Sequence, residues 1–175
     1  MKNLIVSTFP ACGKTYLANH QNDFNYNIID ADSLMFKGEN NWKEKYANYI
    51  ITCLEKFDIV LITQQFDVLD LLTEKKQHFI TVAPKNEKYM SSKEKQIIKQ
   101  QWFGRFYLRD NSQIKDLNSW MKKIEINYDK WTNPEIILKH GSMAHFSLDQ
   151  NEYLTDIIEI IIKNFNYSEE SEWFQ

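Results

Sequence analysis

The amino-acid sequence predicts an α/β protein, a parallel sheet wrapped by helices, and three observations carry that expectation. Short apolar runs of strand length at 4–6, 26–30, 58–63 and 77–83 alternate with stretches of helical period, giving β-α-β-α-β-α-β. The first run leads directly into Ser7-Thr8-Phe9-Pro10-Ala11-Cys12-Gly13-Lys14-Thr15, a tight loop ending Gly-Lys-Thr and followed by a helix. The second run ends Asp30-Ala31-Asp32-Ser33, and the carboxyl ends of neighbouring strands in such a sheet face one crevice.

A strand, a loop closing on Gly-Lys-Thr and a helix form the layout of a phosphate-binding P-loop (Walker A). Pro10, Ala11 and Cys12 lead into the helix, and the loop's backbone N–H groups, from Ala11 and Cys12 onward, converge on the β- and γ-phosphates. Gly13 lets the backbone come close, Lys14 reaches the phosphates as a point charge, and the Thr15 hydroxyl takes one position on Mg²⁺. The usual opening glycine of the pattern is Thr8 here. A β-branched residue avoids positive φ, so the loop is expected to begin differently, with Pro10 fixing one turn dihedral.

The elements follow in order. Residues 14 to about 21 read as the first helix, and 22–25 as polar connector. Of the groups at the end of the second strand, Asp30 and Asp32 are expected to meet the phosphates, the metal and the substrate; the plainer role is a cap, by Asp32 or Ser33, on a helix at 34–37. From 42 to about 56, Trp42, Tyr46, Tyr49, Ile50, Cys53 and Leu54 recur at helical spacing. The run 58–63 is nearly all apolar, as in a strand buried on both faces. It ends Thr63-Gln64-Gln65 without an acid, so the metal's carboxylate is expected from Asp30 or Asp32.

Residues 66–76 read as a helix and 77–83 as a strand halted by Pro84. Residues 93 to about 101 read as helix, and an aromatic, basic stretch follows. Arg105 and Arg109 stand there four apart, the only arginines among 21 basic residues. Two guanidinium groups on one helix face suit the charge of a transferring phosphoryl group; the plainer account is surface ion pairs with Asp110 or Asp116. Residues 113 to about 131 form another amphipathic helix. Pro134 then precedes an expected last strand at 135–140, a loop at 141–146, and a closing helix at 151–165 capped by Asp149.

Bulk properties bound the function. With 175 residues, 43% hydrophobic and 26% charged, the chain is read as one domain, 1–166, with an acidic tail at 167–175. A net charge of −3 gives no electrostatic case for nucleic acid as a partner. No apolar run approaches the ~18 residues of a membrane span, and no leader-like run precedes the first strand, so a cytoplasmic location is expected. Two cysteines, Cys12 and Cys53, build neither a disulfide framework nor a metal site. Cys12, beside Lys14, is read as a small filler, with a lowered thiol pKa as the alternative. The four histidines have no metal-ligand spacing.

The loop from Thr8 to Thr15, the Asp30-Ala31-Asp32-Ser33 strand end and the later arginine segment together resemble the small P-loop kinases of the nucleoside/nucleotide kinase group. The order of elements is similar to that of the compact kinase-like P-loop proteins of tailed bacteriophages, whose loop often reads Ser-x-Phe-Pro-x-x-Gly-Lys-[Ser/Thr]. The resemblance implies a three-layer α/β/α P-loop NTPase fold with a mostly parallel five-stranded sheet, and a helical lid at about 93–130 carrying Arg105 and Arg109. It also implies ATP and Mg²⁺ at Gly13, Lys14 and Thr15, an acceptor near Asp30 and Asp32, and host cytoplasm as the location if the protein is phage-encoded. The expected activity is transfer of the ATP γ-phosphate to a small nucleoside- or nucleotide-type acceptor. A hydroxyl acceptor would use Asp30 or Asp32 as base; a phosphate acceptor usually needs arginines, and none precedes residue 105. The competing readings are a regulatory nucleotide-binding module or ATPase without an acceptor, and a polynucleotide 5′-hydroxyl kinase.

Overall fold

The computed structural model describes residues 3–108 and 117–170. Five strands, β1 (Leu4–Thr8), β2 (Ile28–Ala31), β3 (Ile59–Thr63), β4 (Phe79–Pro84) and β5 (His145–Leu148), form one sheet in the order β2-β3-β1-β4-β5. Every pairing is parallel, with Thr8 opposite Thr63 on one side and Val82 on the other. The strands are rich in β-branched residues, and β1, β3 and β4 are almost wholly buried, as a sheet covered on both faces requires.

The helices are α1 (Lys14–Asn19), α2 (Trp42–Cys53), α3 (Phe66–Glu74), α4 (Ser92–Leu108), α5 (Leu117–Trp131), α6 (Pro134–Lys139) and α7 (Leu154–Glu170). From β1 the chain moves past β3 to β2, and thereafter it moves the opposite way across the sheet. Right-handed crossovers therefore put α1 on one face and the later crossover helices on the other. The packing agrees, with α2 against α3, α5 against α6, and the closing α7 back against α1. β1 consequently sends its helix to one face while β3 and β4, its neighbours, send theirs to the other. A crevice opens at the end of β1, where the Gly-Lys-Thr loop lies.

Several expectations are corrected. Residues 135–140 are not a strand: Asn133 accepts from the N–H groups of Glu135 (2.9 Å) and Ile136 (3.4 Å), and Pro134 opens the short α6. Capping plus a proline in the first turn outweighs the apolar run. The last strand instead lies in the stretch expected to be loop, with β5 at His145–Leu148. Asp149 does not cap α7; its carboxylate accepts from the next N–H, that of Gln150, at 2.8 Å, and Asp156 accepts from Tyr153 N–H just ahead of α7. The closing helix runs to Glu170, into the segment read as a tail, and α4 continues through Leu108. No described helix is long and apolar enough to cross a membrane.

Candidate active site

The loop leaves β1 without a glycine at position 8 because it needs none there. Thr8 is the last extended residue of the strand, fully buried, and its carbonyl accepts from Gln64 N–H at 2.9 Å. The left-handed turns fall later, at Ala11 (φ 64°) and Gly13 (φ 96°). A Cβ at Gly13 would lie 3.5 Å from Tyr153 Cδ1, so Tyr153 closes over the loop.

Neighbouring elements hold the loop's backbone. Phe9 N–H donates to Val82 O (2.9 Å), the Trp102 indole donates to Pro10 O (2.8 Å), and Leu154 N–H donates to Cys12 O (2.8 Å). Phe9 itself is buried edge-on against Trp102 and Tyr128. Cys12 is buried in the same layer. Burial pushes its thiol up to about 12, against the opposing pull of Lys14 and Arg105, so the filler role stands and the lowered pKa does not.

A cavity of about 1030 Å³ lies over the loop. Its walls include Pro10, Ala11, Gly13, Lys14 and Thr15 from the loop side and Asp30, Asp32, Ser33 and Lys37 from the segment after β2. Arg105 and Tyr153 also line it, so the described sequence-predicted residues other than Cys12 gather in one place. The volume suits a nucleotide-sized ligand. Of Pro10 to Thr15, Cys12 alone faces the core instead.

Within the cavity the Thr15 hydroxyl donates to Asp30 Oδ2 at 2.7 Å, joining the loop to the carboxyl end of β2. Asp30 Oδ1 is buried without a hydrogen-bond partner. Asp32 performs the capping role, its Oδ1 accepting from Leu34 N–H at 2.9 Å ahead of a single 3₁₀ turn, Ser33–Met35. Capping uses one oxygen, and among the described residues Oδ2 has no hydrogen-bonded neighbour. The backbone between the two aspartates is fixed by Tyr46, whose buried hydroxyl donates to Ala31 O at 2.5 Å. Gln65, just past β3, donates to Ser33 Oγ at 3.1 Å.

Among the described residues Arg105 forms no ion pair. Its guanidinium lies between the rings of Trp102 (4.3 Å) and Tyr153 (4.2 Å) and donates to Glu152 O at 2.7 Å and to Gln150 O. It thereby ties α4 to the segment preceding α7. Arg109 lies outside the described residues, as do Asp110 and Asp116. Sequence reasoning missed Lys37, Tyr153 and Trp120 as cavity residues. Nothing in their local pattern separates them from surface or core positions.

The all-parallel five-stranded sheet and the loop at the end of its central strand define an α/β P-loop fold. No protein-family model matches this sequence, and no curated protein matches it. Among solved structures the chain is similar to shikimate kinase from Bacteroides thetaiotaomicron, at 14% identity and a TM-score of 0.48, over 96% of this chain and 98% of that one. At that level the likeness carries no functional argument.

Proposed function

We propose that this chain is an ATP-dependent phosphotransferase that moves the γ-phosphate of Mg·ATP to a small nucleoside- or nucleotide-type acceptor. The observation that supports it most is the Thr15–Asp30 hydrogen bond inside the cavity, which joins the loop hydroxyl to a strand-end carboxylate. Both are hard oxygen donors, and the buried, unpartnered Asp30 Oδ1 is the kind of atom a divalent cation satisfies. Thr15 and Asp30 would hold Mg²⁺, which when bound neutralises phosphate charge.

The chain's own groups supply the rest. The backbone N–H groups of Ala11 to Gly13 and the Lys14 ammonium would bind and orient the phosphates. Asp32 Oδ2 would take the proton of the acceptor hydroxyl as the new O–P bond forms and the bond between the γ-phosphorus and the β–γ bridging oxygen breaks, releasing ADP. A base at this position contributes on the order of 10²–10⁴ in rate. Arg105 lines the same cavity, and from its place between α4 and the segment before α7 its charge would add to the positive potential that the phosphates meet.

The test is coupled ADP release with Mg·ATP against nucleosides, nucleoside monophosphates and 5′-hydroxyl oligonucleotides. One small-molecule class is expected to stimulate turnover. Lys14→Ala is expected to abolish it in a folded protein, and Asp32→Asn to lower it at least 100-fold with ATP still bound. ATP binding that no acceptor converts into ADP release would overturn the proposal in favour of a regulatory nucleotide-binding module.

A further inference from the structure

Three cations among the described residues line the cavity: Lys14, Lys37 and Arg105. Lys14 belongs to the phosphate loop, and Arg105 is occupied by two backbone carbonyls and two aromatic faces. Lys37 has no such occupation. It follows the 3₁₀ turn that Asp32 caps, so the turn sets aspartate and lysine on the walls of one cavity.

Four described lysines find carboxylates, Lys43 with Asp67, Lys45 with Glu39, Lys75 with Glu44, and Lys85 with Glu87 and Asp149, while the other described lysines form no ion pair among the described residues. Among the described residues Lys37 forms no ion pair, although Asp32 shares its cavity. Lys123 of α5 lies near enough to add to the positive potential there, and it too has no ion pair among the described residues. Surrounding protein lowers the Lys37 pKa, the nearby Lys123 adds to that, and Asp32 opposes it. Lys37 is exposed on the cavity wall, and an ammonium there beside a second cation gains from an anion brought by a ligand. The chain offers no arginine before residue 105 for that purpose. Leu34, Leu108 and Trp120 line the same cavity and give it apolar wall for the body of a small molecule.

We infer that Lys37 is a specificity-determining residue for the acceptor, and that the acceptor bears an anionic group, phosphate or carboxylate, on the same molecule as its reacting hydroxyl. This rests on the phosphotransferase reading and narrows it, because a neutral nucleoside would leave Lys37 without a partner.

The experiment compares matched pairs: nucleosides with their monophosphates, and small hydroxy acids with their amides. Acceptor-dependent ADP release is measured for the full chain and for Lys37→Met and Lys37→Arg. The anionic member of a pair is expected to be preferred, and whether it is a monophosphate or a hydroxy acid separates the two sources of the charge. Lys37→Met is expected to raise the acceptor KM 10- to 100-fold with the Kd for ATP unchanged, and Lys37→Arg to restore most of the loss. Equal use of neutral and anionic members, or an unchanged KM in Lys37→Met, would overturn the inference while leaving a phosphotransferase.

A second measurement is independent of turnover. With Mg·ADP saturating the loop, inorganic phosphate is expected to bind the wild type by calorimetry and to bind Lys37→Met at least tenfold more weakly. No phosphate binding, or equal binding, would overturn the role of Lys37. A Lys37-dependent phosphate site with no stimulated turnover by any acceptor would support the anion site and overturn the phosphotransferase reading alone.

Discussion

At the scale of single residues, the loop solves a backbone problem with an alanine where glycine is the easier choice. Ala11 sits at φ 64°, a conformation that costs an L-residue roughly 1–2 kcal/mol. Ala11→Gly removes that strain but gives up a methyl group packed at the edge of the core and adds freedom to the unfolded chain. The expected net gain is about 0.5 to 1 kcal/mol, read as a higher urea midpoint with an unchanged slope. A lower midpoint would mean that the methyl's packing outweighs the strain. The loop was legible in the sequence because its functional groups are contiguous, so Gly13, Lys14 and Thr15 announce themselves. Asp30 was legible because a strand end is a fixed place in an α/β sheet. Arg105 was only half legible: its presence in the cavity was anticipated, but its carbonyl partners come from positions 150 and 152, more than 40 residues on, and no local pattern reports them.

At the scale of elements, the edge strand β5 carries the clearest pH signal. His145 lies on this strand with Nδ1 buried and unpartnered, and Ser147 Oγ lies 3.5 Å from its Nε2. Burial lowers its pKa from 6.5 to about 4. The unfolded chain therefore takes up the proton first as pH falls. The stability that a neutral His145 provides is complete above pH 6.5, declines below it, and is lost by about pH 4. The loss amounts to about 3 kcal/mol. Urea midpoints of the wild type are expected to fall between pH 6.5 and 4 more steeply than those of His145→Gln, and parallel curves would show that the imidazole reaches water. This strand is also where sequence reading went astray. Ile136-Ile137-Leu138 is an apolar triplet that fits a strand or a buried helical turn equally well, and length does not decide between them. The deciding signal, Asn133-Pro134-Glu135, was present, since a capping side chain, a first-turn proline and a first-turn acid start a helix. Once that turn is helical, the strand that pairs with β4 has to come from the next extended segment.

At the scale of the whole molecule, the phosphate loop is less a self-contained motif than the place where three parts of the chain meet. The indole of Trp102 on α4 donates to Pro10 O, Leu154 at the start of α7 donates to Cys12 O, and β4 receives Phe9. Arg105 then binds α4 to the 150–152 carbonyls, so the loop, α4 and the start of α7 are tied in one ring of contacts. A rigid loop of this kind presents its N–H groups without reorganisation when phosphates arrive, which is where binding energy is otherwise lost. Trp102→Phe tests this directly, because phenylalanine keeps most of the apolar packing but leaves the Pro10 carbonyl without its buried donor. The expected cost is about 1–3 kcal/mol in stability. A substitution such as Ile50→Val in the buried core of α2, away from the loop, costs about 0.5–1.5 kcal/mol and serves as the control. With both proteins fully folded, ATP is expected to bind Trp102→Phe at least fivefold more weakly than the wild type, and Ile50→Val with unchanged affinity. If both variants bind ATP like the wild type, the loop keeps its shape without α4, and the tie between them serves folding alone.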